Sequence, residues 1–319
     1  MRPGRHRFIR HFQLSVLCFL FGLCSGVAVH AENIKIGLPS VTITAMPFFV
    51  AKDYGFFQHE GLNAEMVVMP ASLNIKVLLA GEIQYAATIG SAVAASIRGI
   101  NVRTVMLFVD RPLQDLVGAS GINSIADLKG KVVALSSRGG LQDIIMQRML
   151  ASAKIDPTQV TTITIAGQTA LITALKTGSV AAALLNPPYN FFAYREGLNN
   201  LGFSGSFVRL PSTGIATLGE TLERSPDQVR RLIRAIAHAR IFARDNKAKV
   251  FPTLKRALHI DDDELLSKIY DQHKKVETAE GRIDAKLMTE TIHDARQTQG
   301  VTKEIPVSQV FDFSYLPAR

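Results

Sequence analysis

The sequence predicts an α/β protein of two similar lobes with mixed, mostly parallel sheets, and three observations carry that expectation. Apolar runs of strand length alternate with helix-length segments from Ile34 onward, a pattern that gives parallel strands covered on both faces. A block of elements then recurs at a fixed spacing, so that Ser40 aligns with Ser137 and Gly81 with Gly178, both 97 residues apart. Beyond Leu210 the pattern turns helical and shows no third copy.

The first 31 residues stand outside this scheme. Arg2, Arg5, Arg7 and Arg10 form a basic start, Phe12 to Val27 a mostly apolar run, and Val29-His30-Ala31 a small-residue cleavage site with Glu32 as the new N-terminus. The alternative is an uncleaved anchor, but the apolar run is shorter than the ~20 residues of a span. A lipid anchor on Cys24 is disfavoured by the large Leu23 beside it. Cys18 and Cys24 both leave with this segment, so the 288-residue mature chain has no disulfide, thiolate metal site or cysteine nucleophile. A soluble, exported protein is expected.

The first lobe opens with a strand over 34–38, stopped by Pro39. Ser40, Thr42 and Thr44 then place three hydroxyls where the chain turns toward Met46, Pro47, Phe48 and Phe49. A helix over about 46–58, a strand at 64–68, a helix at 72–80, a strand at 83–88 and a helix at 90–98 follow, the last opened by Gly90-Ser91. Val102 to Val109 and Asp115 to Ala119 flank Arg111-Pro112 and leave this unit as a crossing to another lobe.

The repeat builds the second lobe. Lys35 to Ser40 aligns with Val132 to Ser137, the strand around Val67 falls on Thr164, and Leu78 to Ile83 aligns with Leu175 to Val180. Gly81 and Gly178 sit just past helix ends, where the left-handed conformation is cheap for glycine. Open α/β sheets bind ligands outside the carboxyl ends of their strands. That rule selects Ser40 and Ser137 as matched positions, with Gly90-Ser91 opposite Pro187-Pro188.

Ser136-Ser137-Arg138-Gly139-Gly140 opens a helix over 141–153, and backbone N–H groups there, with serine hydroxyls and the helix dipole, suit a carboxylate, sulfonate or phosphate. A serine that merely caps the helix is the alternative. Asn186, at the end of the strand over 180–185, can donate and accept toward a ligand, with Tyr189 as a ring wall.

The last third is a helical layer returning to the first lobe. Ser225-Pro226-Asp227-Gln228 reads as a capping box, with Val229, Leu232, Ile233 and Ile236 on one apolar face. Helices over about 247–258, 262–276 and 284–299 follow, one capped by Asp261. Gly214 to Leu218 serves as a second crossing strand, and two crossings make a hinge. The expected lobes are 32–118 with 212–319, and 119–211.

Several chemistries are disfavoured. The formal charge of +9 falls to +5 once the four signal arginines leave, and no aromatic-interleaved basic patch suggests nucleic acid. Arg230, Arg231, Arg234, Arg240 and Arg244 lie opposite an apolar helix face and read as a solvated surface. Of the remaining histidines, His59, His238, His259, His273 and His293, none has a convincing metal spacing; the acidic run after His259 reads as a helix start. No Walker loop, GxSxG, HExxH or dinucleotide fingerprint is present. No cofactor, metal or catalytic residue is expected.

Gly37-Leu38-Pro39, Pro47 to Ala51, Tyr54-Gly55-Phe56-Phe57, Glu60-Gly61-Leu62, Leu79 to Ile83, Ile125 to Lys131 and Leu175 to Gly178 together resemble the nitrate/sulfonate/taurine group of periplasmic solute-binding proteins of ABC importers. That group also holds pyrimidine-precursor-binding and thiamine-pyrimidine synthesis proteins. The resemblance covers nearly the whole mature chain. It implies a two-lobed type II periplasmic-binding-protein fold that closes on a small, anionic organic ligand and presents it to a membrane permease, as a monomer in the periplasm. It places the ligand at Ser40, Thr42 and Thr44, at Gly90-Ser91, at Ser136 to Gly140 and at Asn186.

The cysteine-rich motif of the thiamine-pyrimidine synthases is missing, and Asn186-Pro187-Pro188 replaces the acidic or tryptophan residue often found there. A pyrimidine-precursor-related enzyme or a periplasmic signalling domain is the alternative function.

Overall fold

The computed structural model describes residues 31–136 and 141–317. In chain order the first unit runs β1 (Glu32–Leu38), α1 (Met46–Asp53), α2 (Phe56–His59), β2 (Leu62–Val68), α3 (Ala71–Leu79), β3 (Tyr85–Thr88), α4 (Ile89–Ile97) and β4 (Val102–Leu107). The second runs β5 (Asp115–Gly118), β6 (Val132–Leu135), α5 (Leu141–Ser152), β7 (Thr161–Thr164), α6 (Gln168–Lys176), β8 (Ala182–Leu185), α7 (Tyr189–Arg195) and β9 (Asn199–Phe203). The chain then returns through β10 (Thr213–Leu218) to α8 (Gly219–Arg224), α9 (Pro226–Asp245), α10 (Lys247–Leu258), α11 (Asp263–Lys274), α12 (Ala285–Gln299) and α13 (Val307–Val310).

Two five-stranded sheets result, ordered β2-β1-β3-β10-β4 and β7-β6-β8-β5-β9. Four strands of each sheet run one way and the fourth in order runs against them. The opposed strand of each sheet arrives by a crossing from the other: β4 leads to β5, and β9 leads to β10. The fold is thus α/β and two-lobed.

The spacing of 97 extends beyond the aligned segments. α3 and α6, β3 and β8, and the starts of β4 and β9 all obey it. Register agrees as well, since Ile36 pairs with Tyr85 and Val133, 97 residues on, pairs with Ala182. The two cores differ where volume allows. Gly37 lies under Asn74, whose Oδ1 would be 2.1 Å from an added Cβ, whereas Ala134 and the buried Leu171 occupy the equivalent positions. Asn74 stays put because its amide donates to the carbonyls of Met69 and Pro70, at 3.1 and 3.3 Å.

The crossing segments are stitched at both ends. Phe108 N–H donates to Thr213 O (2.8 Å) and Ser204 N–H to Gln114 O (2.9 Å), while Arg209 pairs with Asp110 at 2.9 Å. β5 pairs with β8 and β9 in the second sheet. That sheet therefore takes in 115–118, which the sequence had placed with the first lobe, because the sheet a crossing strand joins is decided by tertiary pairing.

α9 buries Val229, Leu232, Ile233 and Ile236 in the core it shares with α1, α2 and the first sheet, packing on α1 and α2. Four local readings change. Ser225 makes no side-chain cap; its partner Gln228 is instead drawn between the Tyr85 hydroxyl (2.6 Å) and Glu32 (2.7 Å). Asp262 rather than Asp261 caps α11, accepting from Leu265 N–H at 2.9 Å. The expected helix over 46–58 breaks at Gly55, whose φ is 73°. Arg240, read as solvated, is buried, because it falls on the same stripe of α9 as Ile233 and Ile236 and the segment after α11 covers that end of the helix. No helix among the described residues is long and apolar enough to cross a membrane.

Candidate functional site

The strand ends of the first lobe gather hydroxyls. Ser40 follows β1 and is exposed. Thr42 and Thr44 lie 3.0 Å apart, oxygen to oxygen, and Thr213 donates to Thr44 at 3.1 Å. Thr213 also sits opposite Thr88 in the β10–β3 pairing, and the Thr88 hydroxyl donates to Ser91 at 3.2 Å. Thr42, Thr44, Thr213, Thr88 and Ser91 thus form two short hydroxyl chains at the carboxyl ends of β1 and β3.

Capping does not employ these groups. Thr42 and Thr88 occupy N-cap positions, yet neither makes a side-chain cap. Gly90, at the start of α4, is exposed and has open space where a side chain would stand. The first-turn N–H groups of a helix lack intrahelical partners, and among the described residues Ile89 N–H alone is engaged elsewhere, by Ser212 O at 3.3 Å.

The second lobe presents matched turns. Ser136 N–H donates to Gln142 Oε1 at 2.7 Å, and Asn186 N–H to Gln168 Oε1 at 2.8 Å. Each strand end is therefore held by a glutamine from the first turn of a helix, α5 or α6. Ser136 and Asn186 are both half-buried. Ser137, Arg138, Gly139 and Gly140 lie outside the described residues.

Between the lobes is a cavity of about 470 Å³. Thr88, Gly90 and Ser91 form its first-lobe wall, Leu141 and Ile144 of α5 face them, and Asp294 of α12 is its ionisable group among the described residues. Arg148 of α5 reaches Asp294 at 3.9 Å. The walls of this cavity do not include Ser40, Thr42, Thr44, Ser136 or Asn186. The structure therefore joins Gly90-Ser91 to the second lobe and Thr42-Thr44 to β10.

A buried network ties β5 and α7 to α11. Asp115 is 3% exposed and accepts from Asn190 (2.6 Å), Tyr194 (2.7 Å) and Gln272 (3.1 Å). Burial raises its pKa despite these three donors. α7 of the second lobe is tied to α11 by this carboxylate and by the Arg195–Asp262 ion pair at 2.5 Å. Asp115 stands opposite the end of β8 as Thr213 stands opposite the end of β3.

Sequence reasoning missed Thr88 and Thr213. The first is at the end of a strand that was identified, so its position was a usable signal. The second depends on an antiparallel pairing between distant segments, which left none.

The family model described as NMT1/THI5 like matches residues 42–249. No curated protein sequence matches the chain. Among solved structures, the periplasmic aliphatic sulphonate binding protein SsuA from Escherichia coli superposes at a TM-score of 0.73 with 17% identity, covering 87% of this chain and 96% of that one. The alkanesulfonate-binding protein SsuA from Xanthomonas axonopodis, bound to MOPS, gives 0.70 at 15% identity, over 88% and 98%. The nitrate-binding protein NrtA from Synechocystis gives 0.64 at 13% identity, over 89% and 87%. These likenesses establish the periplasmic-binding-protein fold, and the family match, which spans more than half of the sequence, establishes that the chain belongs to the NMT1/THI5-like family.

Proposed function

We propose that the protein is the periplasmic solute-binding component of an ABC importer, which captures a small organic solute between its lobes by closure about the two crossings. The observation that carries this reading is the cavity between α4 and α5, flanked by strand-end hydroxyls that serve no cap. Family membership and the fold of the sulfonate- and nitrate-binding proteins support it.

The geometry bears on how a ligand would be held. Ser91, whose hydroxyl oxygen accepts from Thr88 and keeps its own proton free to donate, and the first turn of α4 offer donors for an oxygen-bearing head group, the anionic kind included, without an ion pair. Leu141 and Ile144 offer an apolar wall for the rest of the molecule. Ser40, Thr42, Thr44, Ser136 and Asn186 line the approaches, and Ser137 to Gly140 complete the second-lobe turn in this reading. No residue is assigned a catalytic role. The lobes comprise 32–114 with 213–319, and 115–203, joined by the two crossings, and the 31-residue leader is removed on export.

A thermal-shift screen of the mature protein against sulfonates, nitrate, carboxylates and pyrimidines tests the proposal. A stabilising hit that is recovered chemically unchanged supports capture. A flat response across all four classes, or conversion of the hit, refutes it.

A further inference from the structure

Away from the interlobe cavity, the first lobe holds a second one of about 540 Å³, enclosed by α9, the end of α11, the segment 277–282 and Pro317. Four cations line it, Arg240, Arg244, Lys274 and Arg282, against two carboxylates, Glu277 and Glu280. Arg240 is only 9% exposed, and its Nη2 donates to both the carbonyl and the hydroxyl oxygen of Thr278. That hydroxyl has its own proton committed to Leu107 O at 2.5 Å. Arg240 Nε has no hydrogen-bond partner, and no carboxylate among the described residues reaches the guanidinium at ion-pair distance.

A buried guanidinium with an unused N–H is costly unless an acceptor meets it. The segment that walls it in is fixed rather than loose. Thr278 N–H donates to Phe108 O (2.9 Å), Leu107 N–H to Gly281 O (2.7 Å) and Asp110 N–H to Val276 O (3.0 Å). Gly281 has a φ of 78°, and an added Cβ there would lie 2.9 Å from Met106 and 3.2 Å from Arg240 Nη1. The wall thus stands close against Arg240 and is held there by these three hydrogen bonds. Arg244 pairs with Asp245 at 2.9 Å, and Arg282 with Glu280 at 3.5 Å and with Pro317 O at 2.7 Å, which leaves Arg240 and Lys274 against Glu277 alone and the cavity with an excess of positive charge.

We propose that this cavity is a binding site for a small oxyanion, with Arg240 at its floor and Lys274 and Arg282 at its rim, separate from the solute site between the lobes. An oxyanion supplies the acceptor that Arg240 Nε lacks and offsets the cation excess, and guanidinium geometry matches two oxygens of such a group.

Inorganic phosphate is the probe. Mature protein dialysed free of polyvalent anions is titrated with phosphate in a calorimeter at constant ionic strength, and amide hydrogen exchange is followed with and without it. The expected result is one phosphate per chain, with slowed exchange over 276–282. Affinity should drop at least tenfold in Arg240→Met and several-fold in Lys274→Gln/Arg282→Gln. The second variant changes only rim groups, so it keeps the test informative if Arg240→Met fails to fold. Solute binding between the lobes should be unchanged in it, which separates failure of this proposal from failure of the transport reading. No saturable heat, or phosphate affinity unchanged in the rim variant, overturns the proposal and assigns the Arg240 N–H to a water molecule.

Discussion

His273 lies on α11 with 0% exposure, and neither ring nitrogen has a hydrogen-bond partner. Burial first, and then the charges of Arg240 and Lys274, lower its pKa from 6.5 to about 3; Glu277 stands 3.7 Å from Nδ1. In the unfolded chain the ring takes up a proton below its ordinary pKa, whereas the folded ring refuses one until about pH 3. The unfolded state thus binds more protons across this window, and stability rises with pH between about 3 and 6.5. The contribution is fully present above 6.5 and is lost progressively as the pH falls. At 1.36 kcal/mol per pKa unit, lowering the pH from 8 to 5 removes about 2 kcal/mol through this one ring. Replacing it by leucine, of similar volume and without nitrogens to satisfy, should abolish that loss. Asp115 and Glu277, whose pKa values burial raises, titrate in both proteins and cancel to first order in the comparison. Urea unfolding at pH 8 and pH 5 reads the difference directly. The wild-type chain should lose about 2 kcal/mol more than His273→Leu between the two conditions. Equal losses would refute the placement of a neutral, unprotonated ring in this core.

Asp115→Ala should cost about 3 kcal/mol in urea unfolding, because it strands the donors of Asn190, Tyr194 and Gln272. Asp115→Asn should cost less than about 1 kcal/mol, since rotation of the Gln272 amide provides an acceptor for the new N–H. Gly214→Ala should destabilise strongly, by about 3 kcal/mol or more in thermal unfolding, because its Cβ would fall 2.1 Å from the backbone oxygen of Met106. Thr44→Val should leave unfolding within about 1 kcal/mol of wild type. In calorimetry it should weaken solute binding roughly tenfold, the equivalent of one good hydrogen bond, by severing the Thr42–Thr44–Thr213 chain.

Much of the architecture was legible because the repeat is carried by local chemistry. Gly81 and Gly178 end their helices with φ values of 78° and 69°, and the apolar strands that follow, β3 and β8, are buried on both faces. Such features survive in one sequence without any partner. What stayed hidden depends on contacts between distant segments. β5 joins the second sheet through β8 and β9, and nothing in Asp115 to Gly118 itself states that choice. Arg240 is a different case, for it stands seven residues after Ile233 and four after Ile236, on the buried stripe of α9 and not beside Arg230 and Arg234, so the helical spacing itself marked it for burial. The candidate site followed the same division. Thr42, Thr44 and Gly90-Ser91 stand at strand ends that the sequence displayed, while Thr213 joins them only through the antiparallel return of β10.

Closure of the lobes on a solute is the central claim, and the absence of cysteine from residues 32–319 makes it directly measurable on that segment. Leu73 on α3 and Ala170 on α6 are exposed and occupy equivalent positions in the two lobes. Leu73→Cys/Ala170→Cys, spin-labelled at both sites, gives the interlobe distance by electron paramagnetic resonance. Adding a solute identified by thermal shift should move the distribution to shorter, narrower distances, with one solute bound per chain. A solute bound at that stoichiometry with the distribution unchanged would contradict capture between the lobes.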